Sequence, residues 1–144
     1  MLTTLIAVLG TLAGATIAHL SQRAQRRAVD NRAQRTEALA AVAALATALA
    51  DHRRAMWVRE DLRLRGQDWD EARTASHATR SAITAPLLQV QLLLPAIAPA
   101  AQNAARAAYA LRGTDTDASL RAARESAITA ADDFVTAAGV ALAA

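Results

Sequence analysis

The chain has 144 residues and no cysteine, and its 16 basic residues, all arginine, outnumber 13 acidic ones for a formal charge of +3. That length holds one domain and a short extra segment rather than two domains. The lack of cysteine excludes a disulfide framework and thiolate chemistry.

Residues 1–22 read as a membrane anchor. Met1 to Ala18 carry no charged side chain, and an apolar helix of about 20 residues spans roughly the 30 Å of a hydrocarbon core. Arg23, Arg26, Arg27, Arg32 and Arg35 follow closely, against Asp30 alone. Arginines on one flank orient such a helix with its N-terminus outside and the rest of the chain in the cytoplasm. Arg23, Arg26 and Arg27 are placed to hold anionic lipid head groups. Gly10 and Gly14 form G-x-x-x-G, continued by Ala18, a small-residue stripe through which two such helices associate in lipid. A secretory signal is the competing reading, with Ala13-Gly14-Ala15 as its cleavage site, but the arginines then stand on the wrong side of the apolar run.

Residues 23–36 form a basic juxtamembrane segment, and residues 37–144 an alanine-rich helical bundle. Apolar residues recur at spacings of three and four throughout, with no useful run of period two. One helix, continuing from the anchor, is expected from Arg23 to Leu64, its stripe running through Leu39, Val42, Leu45 or Ala46, Leu49, Met56 and Trp57, ended by Gly66 at a left-handed C′ position. Asp68, with Glu71 three residues on, has the pattern of a capping box. The helix it opens carries Trp69, Ala72, Ser76, Thr79, Ile83, Leu87, Val90 and Leu94 on one face. Pro86 should kink it and Pro95 should end it. A shorter helix from about Ala96 to Arg112 presents Ile97, Ala101, Ala104, Ala108 and Leu111. Gly113 breaks it, and Thr114 to Asp117 cap a last amphipathic helix with Leu120, Ala123, Ala127, Ala131, Phe134, Ala138 and Leu142 inward. The fold expected is all-α: an N-terminal transmembrane helix, then an antiparallel bundle of about four helices. Alanine faces bury little area each, so self-association would add stability.

The uncharged stretch Ser81–Ala105 is long enough for a second membrane pass. Its three prolines and its glutamines fit two buried helices joined at a corner better.

Chemistry is scarce. There is no phosphate-cradling glycine motif, and the three histidines, His19, His52 and His77, form no metal-ligand pair. His52 and His77 could face each other across the Gly66 turn, with Asp51 and Glu60 near in sequence, but a polar layer between helices explains them more simply. Nothing places a nucleophile beside a base, so neither catalysis nor a cofactor is expected. The segment Asp51–Asp61 mixes both charge signs with a tryptophan. It reads either as a solvated face with i,i+4 ion pairs or as a partner patch anchored by His52, Arg53, Arg54 and Trp57. Arg23–Leu49 imitates a basic zipper, but the heptads fail at Arg53. No specific nucleic-acid binding is expected.

Four segments, TLIAVLGTL (4–12), DHRRAMWVRE (51–60), SHATRSAITAPL (76–87) and YALRG (109–113), resemble the KilB-type plasmid transfer and spread proteins of actinomycetes. The resemblance covers most of the chain and implies a small membrane-associated accessory of plasmid transfer, with DNA-transfer machinery as its partner. It supplies no active-site residues. The expected partners are thus the lipid bilayer, a second copy of the chain and that machinery. Another class of function stays open: a small oligomeric membrane-active protein, holin-like or toxic. An exported soluble helical domain would require a shortened N-terminus.

Overall fold

The computed structural model describes the backbone of residues 2–143 and the side chains of residue 22 and of 25–143, except 27 and 28. Gly10, Gly14, Ala18, Arg23 and Arg27, the proposed association and head-group residues, therefore lie outside the described side chains; Arg26 is exposed. Four α-helices and no strand occur among the described residues: α1 (Leu2–Leu64), α2 (Asp70–Leu93), α3 (Ala98–Tyr109) and α4 (Asp117–Ala143), with a 3₁₀ turn at Pro95–Ile97 ahead of α3. The chain divides into two compact units, Met1–Thr36 and Glu37–Ala144. The second holds the core.

Local signals set the helix ends. Gly66 has φ 66°, and the N–H groups of Gln67 and Gly66 donate to the carbonyls of Leu62 and Arg63 at 3.0 and 3.1 Å. This is the paired hydrogen bonding of a Schellman motif, which needs a left-handed residue at C′. At the start of α4, the Thr116 hydroxyl accepts from the Ser119 N–H, and Ser119 Oγ accepts from the Thr116 N–H, both at 3.1 Å. Two orphan donors are thereby satisfied reciprocally.

Three expectations are corrected. Asp68 Oδ1 accepts from the Asp70 N–H at 3.1 Å, but α2 starts at Asp70 with Trp69 as its N-cap and no side-chain cap bond, so the expected capping box does not form. The helix expected over 96–112 is a 3₁₀ turn followed by α3. Pro95 and Pro99 lack the N–H groups that a continuous helical ladder would use, and both are tolerated because they stand in first turns. On α1 the inward stripe is Ala38, Ala41, Val42, Leu45, Ala48, Leu49 and His52, while Leu39 is 57% exposed. Leu45 and Leu49 set the meridian of the buried face. Positions three, four and seven residues before Leu45 share it, and Leu39 lies about 100° away.

The main core draws on all four helices: Leu45 and Leu49 from α1, Ile83 and Val90 from α2, Ala101, Ala104, Ala105 and Ala108 from α3, and Ala130, Phe134 and Ala138 from α4, together with Ile97. Eight of the fifteen buried residues of this cluster are alanine, so backbones approach closely and the few large side chains carry most of the buried area. A second cluster, Met56, Leu111, Leu120 and Ala127, takes Trp57 and Leu64 against its edge. α2 runs through the buried Pro86. The axes of α2 and the α3 segment differ by 119° at the Leu94 corner, and both bury one face in the main core. By length and composition α4 could cross a membrane, with 22% of its apolar window buried, and α2 with the Pro95–Tyr109 segment passes the same test as a bent pair.

Candidate functional site

Beyond Leu49 the inward face of α1 turns polar. His52, Arg59 and Glu60 are 1%, 7% and 0% exposed, and Met56 is the apolar residue among them. Positions 52, 56 and 59 are spaced four and three residues apart, so they share one face. Opposite them α2 presents Ser76, His77 and Arg80, again at helical spacing. α3 contributes Tyr109 near its end, and the following turn adds Arg112. These eight residues line a cavity of about 210 Å³.

Specific contacts hold His52, Arg59 and Arg80 in the wall, and Glu60 lies behind it. His52 Nδ1 lies 3.0 Å from Thr79 Oγ1, and its ring meets Tyr109 edge-on, with centroids 5.5 Å apart. Arg59 Nη1 donates to Ser76 Oγ at 3.4 Å, and its guanidinium stands 5.2 Å over the Trp69 ring. Arg80 lies 4.0 Å over the ring of Tyr109. Glu60 accepts from Arg63 Nε at 2.6 Å and faces Arg59 Nε at 3.5 Å. Arg63 also donates to the Thr114 carbonyl, tying α1 to the turn before α4. His52 Nε2, Arg59 Nε and Glu60 Oε1 are buried without a hydrogen-bond partner.

Burial, reinforced by the charges of Arg80 and Arg59, pushes the His52 imidazole down to a pKa of about 4, so it is neutral at physiological pH. Burial also lowers the pKa of Arg59. Glu60 opposes that shift, while Arg112, Arg73 and Arg63 add to it.

The His52 shift has a consequence for stability. The folded chain binds a proton on His52 more weakly than the unfolded chain, whose pKa is near 6.5. Its contribution is complete above pH 6.5 and falls as the pH drops towards 4. Unfolding free energy should decline by up to about 3 kcal/mol over that window from this group alone. Urea titrations at stepped pH should give His52→Gln a visibly flatter slope. Parallel slopes for wild type and variant would show that His52 does not titrate this way.

The sequence-derived partner patch is divided by the structure. His52 faces inward and cannot anchor a surface contact, because the α1 meridian that buries Leu45 and Leu49 also buries position 52. Arg54 is exposed and Arg53 half-buried. Trp57 packs against the second apolar cluster beneath the Arg124 guanidinium at 5.2 Å, which is a bond between α1 and α4. His52 and His77 do line one cavity, whereas Asp51 is exposed and Glu60 is engaged by arginines. Among the described residues no three metal-ligating side chains gather. Sequence reasoning missed the convergence of Arg59, Arg80, Arg112 and Tyr109. The available signal was polar Ser76 and Thr79 standing in the otherwise apolar stripe of α2.

Residues 39–142 match the family model described as KilB plasmid transfer protein. Protein KilB of Streptomyces lividans is 57% identical over 141 residues, covering 96% of each chain. No solved structure matches the chain.

Proposed function

This chain belongs to the KilB family of plasmid transfer proteins, and on that premise we propose that it is a membrane-anchored accessory of plasmid transfer, acting by assembly and not by catalysis. The identity to the Streptomyces protein over nearly its whole length is the observation that carries the transfer role. The anchor rests on the sequence of residues 2–20, an uncharged apolar run followed at once by arginines.

In this mechanism residues 2–20 insert. Gly10, Gly14 and Ala18 bring protomers together, while Arg23, Arg26 and Arg27 engage head groups. The bundle of residues 37–144 stays on the cytoplasmic side and meets the DNA-transfer machinery through protein contacts.

Carbonate extraction with protease protection of a C-terminally tagged full chain tests the anchor. The protein should remain in the membrane pellet with its tag shielded, and deletion of residues 1–22 should release it. Release of the full chain by carbonate would sink the anchor, and an externally exposed tag would sink the orientation. A plasmid-spread assay tests the role. A chain truncated after residue 31 should lose function; retained activity would instead favour a holin-like protein acting through the anchor alone.

A further inference from the structure

The cavity between α1, α2 and α3 has a charge imbalance that the transfer role does not use. Three guanidinium groups, Arg59, Arg80 and Arg112, line it with His52 and His77. The nearby buried carboxylate, Glu60, is already engaged by Arg63 at 2.6 Å and Arg59 at 3.5 Å. Among the described residues no carboxylate stands within ion-pair distance of Arg80 or Arg112, since the ion pairs formed involve Arg59, Arg63, Arg65 and Arg124. Like charges gathered around a concavity repel one another unless an anion joins them. One wall residue also keeps an unused buried polar atom, His52 Nε2. An unsatisfied buried donor or acceptor normally has a partner.

We propose that this cavity binds a small phosphate-bearing anion. Its volume of about 210 Å³ accommodates a tetrahedral phosphate with a small substituent or a few waters, each water taking roughly 30 Å³. Guanidinium groups arriving from three separate segments suit the several equivalent oxygens of a phosphoryl group, which planar N–H forks engage two at a time. Two of the three donors are pre-positioned. Trp69 and Ser76 hold Arg59, and the Tyr109 ring holds Arg80, so little side-chain entropy remains to be lost on binding.

His52 takes part as a neutral ring. Thr79 Oγ1 is 3.0 Å from Nδ1 and 3.1 Å from the carbonyls of Ala75 and Ser76. Its one hydroxyl proton serves one of these acceptors at a time. With that proton on a carbonyl, the ring donates Nδ1–H to Thr79 Oγ1, and Nε2 is a buried acceptor left without a partner. The P–OH group of a hydrogen phosphate is the donor that this tautomer lacks.

The test uses the full chain in non-ionic detergent near neutral pH, titrated with inorganic phosphate against chloride at matched ionic strength. Thermal unfolding and calorimetry are read together. Phosphate should raise the melting temperature saturably and chloride should not. Arg112→Gln and Arg80→Gln should each weaken phosphate binding about tenfold or more, the loss of one charge-assisted contact. In chloride, Arg112→Gln should melt no lower than wild type, because it removes repulsion and no ion pair. Equal melting curves in phosphate and chloride, or variants that bind as wild type does, would overturn the proposal. Phosphatidic acid added to the micelles separates the sources. If it displaces phosphate, the natural ligand is a lipid head group; if it does not, the ligand is a soluble phosphate.

Discussion

Replacing Glu60 by alanine should lower the unfolding free energy by about 3–5 kcal/mol, the loss typical of breaking a buried ion pair from one side. Glu60 is 0% exposed and Arg59 7%, so neither group can recover its lost partner from bulk water. The Glu60 carboxylate offsets the mutual repulsion of Arg59 and Arg63, and Arg112 and Arg73 add to the positive field at Arg59. Without it the Arg59 guanidinium stays charged and buried, since arginine does not give up its proton. Asp61→Ala is the control. Its pair with Arg65, at 2.8 Å, is open to solvent and should contribute no more than about 1 kcal/mol. Urea denaturation of both variants tests the contrast. A Glu60 variant as mild as the Asp61 one would mean that the buried cluster is hydrated.

Phe134→Ala should cost a similar amount, about 3–5 kcal/mol. Phe134 is the chain's one phenylalanine, is 0% exposed, and stands on α4 between Ala130 and Ala138 in a core otherwise rich in alanine. Neighbouring alanines have no rotamers with which to fill the void, so the cavity term adds to the lost burial. Domains of this size are stable by only about 5–15 kcal/mol, so the variant should lose much of its thermal transition. Phe134→Leu should recover most of it, as roughly volume-conserving swaps cost under about 1.5 kcal/mol. Circular dichroism melts of the two variants give the comparison. An alanine variant that melts like the leucine one would show that α4 moves in to close the gap.

Much of the secondary structure is legible in the chain. Gly66, Pro95, Gly113 and Thr116 mark the breaks through φ preferences, a missing N–H and a capping hydroxyl, effects that act between residues a few positions apart. The inward positions of α2, from Ser76 through Ile83 to Val90, follow from helical spacing alone. So do those of α3 and most of those of α4. The all-helical class and the transfer family were readable for the same reason, as both rest on runs of adjacent residues.

The interior polar cluster is different. Spacing alone does not say whether a helix turns Leu39 or Ala38 inward, nor that His52 goes to the core while Arg54 stays in water. Each choice is settled by what the facing helix supplies: the Thr79 hydroxyl for His52, the Trp69 ring and Ser76 for Arg59. A buried polar group is tolerable only where a partner waits for it. Those partners lie far along the chain, Thr79 27 residues from His52 and Ser76 17 from Arg59. The sequence by itself therefore determined where the chain breaks between helices and which family it joins. Only the tertiary structure decided which charges are drawn inside and that three arginines share one cavity, because desolvation and pairing are set by neighbours in space.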